Sequence, residues 1–393
     1  MIEMKNKKIA LVNQRYGLEV NGGSEYYTRQ LAEHLSQRYD VEVLTTKALS
    51  YDTWENYYEK DVENINGITV RRFDVDKKRS IWGMRINGRL RRYCPKLREK
   101  AEERWVEAQG PCSHGLIEYI EQKSEEYDVF IFVTYLYYST AVGLGKVADK
   151  AILLPTAHDE PYIYFDVYRN VFEKAAGLIY LTPEEKQFVE KLFRVTEKPN
   201  VVSGSGVDLP EDIDNTRYRT KFNLSDEYII YVGRIDLEKG CKEMFEAFLK
   251  YKKHNPKDKL KLVLMGKAMI DIPKHEDIVY QGFVSEQDKF DGISGAKVLW
   301  LPSKYESLSI AVLEAMALGV PVIVNGQCDV LKGHCTRSGA GVYYENIDEA
   351  IQKLDWIIHT DEDVSKKAKK YIEDNYQWEN IIAGICEVME TIG

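Results

Sequence analysis

Residues 297–324 read KVLWLPSKYESLSIAVLEAMALGVPVIV, and this stretch decides the fold. A short apolar run (Val298, Leu299, Trp300, Leu301) breaks at Pro302. A helical stretch follows until Gly319 and Pro321 stop it, and a second β-rich run closes the segment at Val320–Val324. Length and breakers give a strand, a loop, a buried helix and a parallel strand. From Leu308 to Leu318 every residue is apolar except Ser309 and Glu314. A lone carboxylate on a buried helix is costly unless a partner satisfies it. Glu306 lies eight positions earlier, in the loop at the C-terminal end of the first strand, which is where open α/β sheets bind ligands. Ser307, Leu308 and Ser309 offer backbone N–H groups at the positive end of a helix dipole, a seat for a phosphate. Such a seat, flanked by two carboxylates that accept hydroxyl hydrogens, suits a sugar nucleotide.

The same alternation of strand and helix runs outward in both directions. In the first half the candidate strands are Ile9–Asn13, Val41–Thr45, Thr69–Asp74, Val129–Thr134, Ala151–Thr156 and Gly177–Leu181. In the second they are Tyr228–Val232, Lys261–Met265, Val279–Gln281, Val298–Leu301 and Val320–Val324. Helical patterns lie between them, which implies parallel sheets in two doubly wound domains. The boundary falls near Ser203–Pro210, where SGSGVDLP collects small residues and a proline. With 393 residues, 44% hydrophobic and 30% charged, the chain is long enough for two sizeable folded domains. A net charge of −9 argues against a general nucleic-acid binder. The six cysteines (94, 112, 241, 328, 335, 386) show no C-x-x-C and read as reduced thiols of a cytosolic protein. The N-terminal MIEMKNKKIALVNQRYG enters its first strand at once, with an apolar run too short for a signal core, and no stretch approaches the ~20 apolar residues of a spanning helix. A cytoplasmic protein is expected.

Glu306 and Glu314 form an E-x7-E pair inside ESLSIAVLEAMALGVPVI, which resembles the signature of the large retaining glycosyltransferase family 4 (group 1). The resemblance implies the GT-B fold, an α/β architecture of two Rossmann-like doubly wound parallel-sheet domains facing across a cleft. Residues 1–205 correspond to the acceptor-side domain and 206–375 to the nucleotide-sugar domain, with a helix at 376–393 packing back on the first. It also implies transfer of a sugar from a nucleotide-diphosphate sugar to an acceptor hydroxyl with retention, in polysaccharide or glycolipid assembly. Glu306 then lies by the donor sugar and Glu314 holds the ribose hydroxyls. In YIIYVGRIDLEKG, Gly233, Arg234, Lys239 and Gly240 match the family pattern G-R-x-x-x-x-K-G. Two cations at a strand terminus can neutralise a diphosphate and the charge that grows on it as it leaves. Gly266 and the pair Phe283–Val284 resemble segments that frame the nucleotide. In the first domain, Gly22 and Gly23 of NGGSE resemble a G-G-x-E segment beside the donor phosphate and acceptor, or form only a tight turn. His158, in the loop after AILLPT, resembles the residue that contacts the donor sugar, with Asp159 and Glu160 beside it as alternatives. The chain departs from the family in Ser-Leu-Ser after Glu306, where Gly-rich forms are frequent, and in Asp329, where Glu is often seen. A dinucleotide fingerprint is missing, since Gly204 and Gly206 are followed by Leu209. Asp74-Val75-Asp76 forms a D-x-D, but the surrounding chain does not support the fold that uses one. No catalytic metal and no cofactor beyond the sugar nucleotide as co-substrate is expected.

One segment stands apart in charge. From Lys77 to Arg104 there are eleven basic residues (77, 78, 79, 85, 89, 91, 92, 96, 98, 100, 104) and three acidic ones (99, 102, 103), with Ile81, Trp82 and Met84 among them. Trp82, Arg85, Arg89, Arg91 and Arg92 either dock on an anionic leaflet at the inner membrane face or grip the diphosphate of a lipid-linked acceptor. The segment is otherwise a solvated helix paired to its own glutamates. Tyr135 and Tyr137 either stack on acceptor sugars or simply pack. The expected partners are a sugar-nucleotide donor, a glycan or lipid-linked acceptor and an anionic membrane surface. Two other classes share the pattern: a sugar-nucleotide epimerase, and a catalytically silent partner or glycan-binding protein.

Overall fold

The computed structural model describes residues 7–20, 22–360 and 363–392. They fall into two units, Met1–Gly204 with Glu379–Gly393, and Ser205–Trp378. In the N-terminal unit the strands are β1 (Lys8–Val12), β2 (Asp40–Thr46), β3 (Val62–Ile65), β4 (Ile68–Phe73), β5 (Val129–Val133), β6 (Ala151–Leu154), β7 (Gly177–Tyr180) and β8 (Asn200–Val202). They form one sheet in the order β3-β4-β2-β1-β5-β6-β7-β8. Every pairing is parallel except β3 with β4. In the C-terminal unit β9 (Tyr228–Val232), β10 (Lys261–Met265), β11 (Ile278–Gly282), β12 (Leu299–Leu301), β13 (Val322–Asn325) and β14 (Gly341–Tyr344) form an all-parallel sheet, ordered β11-β10-β9-β12-β13-β14.

The central strands are apolar almost without interruption because helices cover both faces of each sheet. β5, β6 and β7 are buried at every position, as are the last four residues of β1. β4 corresponds to the expected strand Thr69–Asp74, but β3 and the antiparallel hairpin it makes with β4 are absent from the sequence expectations. Its signal is Asn66-Gly67, whose φ values of 51° and 87° make the two-residue turn that matches strand twist. Polar VENI flanks that turn, so hydrophobic periodicity alone conceals it. β8 and β14 lie at the sheet edges and are only partly buried, so they lack the unbroken apolar runs of the central strands. The helix Trp378–Ile392 packs within the N-terminal unit, where the Tyr39 hydroxyl donates to Cys386 Sγ at 3.3 Å.

Each sheet has one topological switch point, where the strand order turns back on itself: β1 with β5, and β9 with β12. Loops at the C-terminal ends of those strands diverge and leave a crevice for ligand. In the C-terminal unit the β9 loop begins at Gly233 and the β12 loop runs from Pro302 to Ser309, where the helix Ile310–Ala317 starts. The two loops are locked together. A Cβ on Gly240 would stand 2.4 Å from the Pro302 carbonyl oxygen, so only glycine permits that approach. Ser309 adopts φ 68° and ψ 84°, a left-handed conformation that a side chain disfavours.

In the N-terminal unit, Glu185 ties the ends of β6 and β7 together. Its carboxylate accepts the N–H of Ala157 at 2.5 Å and of Leu181 at 2.6 Å, and burial pushes its pKa up to about 8. A carboxyl raised from 4.5 contributes stability that is fully present below pH 4.5 and is lost as pH rises through about 8. The thermal midpoint should therefore fall between pH 5 and pH 8, and Glu185→Gln should flatten that fall. Parallel slopes for the two proteins would refute the assignment. Ser309→Gly relieves the left-handed strain of about 1–2 kcal/mol against a glycine entropy cost of about 0.4–1 kcal/mol. Denaturant melts should show it as stable as the wild type or slightly more so; a clear destabilisation would mean that the serine side chain holds the loop.

Candidate functional site

At the β9 end, the Gly233 N–H donates to the Met265 carbonyl at 2.9 Å, and a Cβ on Gly266 would stand 1.9 Å from the Gly233 carbonyl oxygen. These two residues therefore bring the β9 and β10 loops into direct backbone contact. Arg234 follows. Its Nε donates to the Asp236 carboxylate and an η nitrogen reaches Glu238 at 3.4 Å. The other oxygen of Asp236 accepts the Lys239 N–H at 2.7 Å, so this one nearly buried carboxylate aligns both cations. Lys239 Nζ donates to Glu306 Oε1 at 2.6 Å. The first acid of the E-x7-E pair is thereby joined to the lysine of the β9 loop across the switch point.

Glu314, the second acid, is 3% exposed. Burial raises its pKa, and Lys289, whose Nζ donates to Oε1 at 2.6 Å, pulls it back down. Phe283 follows β11 with 72% of its surface exposed, and Val284 beside it is half-buried. Between the acids, Ser307, Leu308 and Ser309 lead into the helix. Among the described residues no acceptor meets the N–H groups of Leu308 and Ser309. The carbonyls of this loop are instead held from behind by β13 and the helix Asp329–Ser338. Asn325 donates to the Pro302 carbonyl at 3.2 Å, the Cys328 thiol to that of Glu306 at 3.9 Å, and His334 Nε2 to that of Leu308 at 2.8 Å. His334 is fully buried, and burial lowers its pKa to about 4, so the ring is neutral. Sequence reasoning missed Asp236, Lys289, Asn325 and His334. Asp236 alone had a signal, its place inside the G-R-x-x-x-x-K-G loop; the others come from helices and strands distant in sequence.

The remaining candidates belong to the N-terminal unit. Gly22 precedes the helix Gly23–Leu35, in which Glu25 is buried against Arg15 at 2.5 Å. Gln14 donates to the same carboxylate at 2.9 Å. His158 lies in the β6 loop with Nε2 3.7 Å from Glu160, while Glu160 accepts the Tyr135 hydroxyl and Asp159 that of Tyr164. Tyr135 and Tyr137 are buried rings. Tyr135 packs edge-on to Tyr168, and Tyr137 packs edge-on to Tyr51 and Trp54. Neither ring presents a face to solvent, because both follow a central strand whose loop folds inward.

The basic segment forms two packed helices, Ile81–Tyr93 and Arg98–Gln109. Arg91 is structural: it pairs with buried Glu102 at 2.5 Å and lies 4.1 Å over the Phe165 ring. Lys77 and Lys78 pair with Glu107 and Glu55. Arg85, Arg89 and Arg92 are exposed and form no ion pair among the described residues. With Ile81, Trp82 (75% exposed) and Tyr93 they line one helix face, since these positions recur at three to four residues.

A family model described as glycosyl transferases group 1 matches residues 212–378, which contain every donor-side residue described above for the C-terminal unit. The chain is 26% identical to an uncharacterised glycosyltransferase of Methanocaldococcus jannaschii, over 95% of each chain. Among solved structures it is similar to sucrose-phosphate synthase from Thermosynechococcus elongatus, with TM-score 0.71 and 17% identity over 98% of this chain and 99% of the other. It is also similar to Anabaena HepE in complex with UDP-glucose, with TM-score 0.69 and 14% identity over 98% and 99%. The two sheets and these likenesses give the GT-B fold. Residues 212–378 are thus a group 1 glycosyltransferase domain within a GT-B fold, and the chain is a glycosyltransferase that takes its sugar from a nucleotide-diphosphate donor.

Proposed function

We propose that the C-terminal unit holds the donor through the loops of β9 and β12, and that the acceptor is a glycan or lipid-linked glycan presented at an anionic membrane surface. The observation that carries the donor side is the Lys239–Glu306 pair across the β9/β12 switch point, next to the Leu308 and Ser309 N–H groups. Arg234, Lys239 and those N–H groups take the diphosphate; Gly233 and Gly266 let the backbone approach it. Glu306 orients the sugar and Glu314 takes the ribose hydroxyls with the oxygen that Lys289 leaves free, while Phe283 and Val284 flank the base. The bond from the anomeric carbon to the phosphate oxygen breaks as the bond to the acceptor oxygen forms on the same face. The acceptor's proton passes to the departing phosphate, whose charge the two cations and the N–H dipoles stabilise. We assign that neutralisation to Arg234 and Lys239, not to a metal ion. Gly22, Gly23 and His158 are the candidates in the N-terminal unit for the reacting sugar and acceptor.

The exposed face of the helix Ile81–Tyr93 supports a peripheral membrane role in polysaccharide or glycolipid assembly, at the cytoplasmic leaflet. Among the described residues no helix is long and apolar enough to cross a membrane. Three unpaired arginines near an anionic surface contribute about 1 kcal/mol each, and Trp82 adds an interfacial anchor.

Calorimetric titration of UDP, GDP, ADP and TDP checks the donor site. One of the four should bind tightly and lose at least about tenfold in affinity, roughly 1.4 kcal/mol, in Glu314→Ala. No binding by the wild type would move the silent-partner reading to first place, and sugar-nucleotide turnover without acceptor would favour the epimerase. Sedimentation with phosphatidylglycerol vesicles checks the surface. At low salt the protein should pellet, and both Arg85→Glu/Arg89→Glu/Arg92→Glu and salt of about 0.5 M should release it. Equal partition of wild type and triple variant would contradict membrane docking by this helix.

A further inference from the structure

We infer that His334 is a positioning residue of the donor site: by donating from Nε2 to the Leu308 carbonyl it fixes the peptide whose opposite edge, the Ser309 N–H, faces the diphosphate. The inference rests on the phosphate-seat assignment of Ser307–Ser309. It follows from the geometry of a single peptide. The Leu308–Ser309 bond is trans and planar, so its carbonyl and its N–H point in opposite directions. Whatever holds the carbonyl aims the N–H. The carbonyl is held at 2.8 Å by a ring that is 0% exposed.

A carbonyl accepts only, so Nε2 carries the hydrogen and Nδ1 is left as an acceptor. Tyr371 fills that role, its hydroxyl 3.0 Å from Nδ1. Arg337 Nε donates to the Tyr371 oxygen at 3.2 Å, which leaves the Tyr371 hydrogen for the imidazole, and the Tyr376 hydroxyl stands 3.1 Å away. The helices Asp329–Ser338 and Val364–Asn375 thus set the tautomer, and the tautomer sets the loop. A buried histidine with both nitrogens engaged specifies direction, which an apolar side chain of equal volume in the same place could not. The need for such support is local: Ser309 sits in a left-handed conformation that its own side chain disfavours.

The test separates the two ring nitrogens. The amide of glutamine reaches the place of Nε2 and donates to the Leu308 carbonyl; that of asparagine reaches only the place of Nδ1. His334→Gln and His334→Asn are compared with the full-length wild type in thermal melts, in titration with UDP, GDP, ADP and TDP, and in hydrogen exchange over residues 304–316. Both variants should melt below the wild type by similar amounts. His334→Gln should keep nucleotide affinity within about threefold and exchange as the wild type does, whereas His334→Asn should lose about tenfold or more, the scale of one directed hydrogen bond, and exchange faster at Val312 and Leu313, whose N–H groups donate to the Ser309 carbonyl. Equal losses in the two variants overturn the inference, as does faster exchange in His334→Asn with affinity unchanged. If the asparagine variant does not fold, Tyr371→Phe/Tyr376→Phe replaces it, since the Tyr376 hydroxyl also stands 3.5 Å from Nδ1. It keeps the ring and frees the tautomer, and it should cost about threefold in affinity; no change overturns the inference. If the wild type binds none of the four nucleotides, the donor-site reading fails on its own. His334 is then judged by exchange alone: faster in Asn than in Gln supports it, and equal rates overturn it.

Discussion

The β12 loop carries its hydrogen-bonding groups in one sense: carbonyls toward the body of the C-terminal unit, and N–H groups of Leu308 and Ser309 that meet no acceptor among the described residues. Asn325, Cys328 and His334 hold the carbonyls of Pro302, Glu306 and Leu308. With its carbonyls anchored in this way, the loop leaves those two N–H groups available, which is the capacity the proposed phosphate seat draws on. The rest of the site is arranged around this loop. Gly240 lets the β9 loop lie against Pro302, which brings Lys239 to Glu306. The sheet order places both loops at the switch point, so the site is a property of topology as much as of side chains.

Electrostatics divides the two acids. Glu306 meets a lysine that is itself partly accessible, so their pair can open to a ligand at small cost. Glu314 is buried with Lys289, and breaking that pair would strand a carboxylate in low dielectric. One pair is suited to exchange partners during a reaction cycle, the other to stay fixed, as the proposed ribose contact of Glu314 requires. Asp236 has a third function, orienting Arg234 and the Lys239 backbone together through its two oxygens.

Much of this was legible in the sequence, for physical reasons that differ by element. Parallel strands buried on both faces leave unbroken apolar runs, so β1, β9 and β10 could be read to within a residue. The strand β3 escaped because VENI is largely polar and exposed, although Asn66-Gly67 announced the turn into β4. Glu314 stood out because a lone carboxylate on an apolar helix is costly without a partner, and Glu306, Arg234 and Lys239 stood out through their resemblance to the family patterns. His334, Lys289 and Asn325 did not, since their roles arise from contacts between elements far apart in sequence, to which local pattern is blind. Tyr135 and Tyr137 show the reverse. Their positions after a central strand matched an open site, yet their rings fill the core.

The most direct measurement is diffraction from crystals of the full chain grown with the nucleoside diphosphate it binds. The account predicts the β-phosphate within hydrogen-bond distance of the Leu308 and Ser309 N–H groups, with Lys239 or Arg234 on its oxygens and the ribose on Glu314. Phosphates seated away from the β12 loop, with Lys239 and Glu306 still paired as in the unliganded chain, would contradict it.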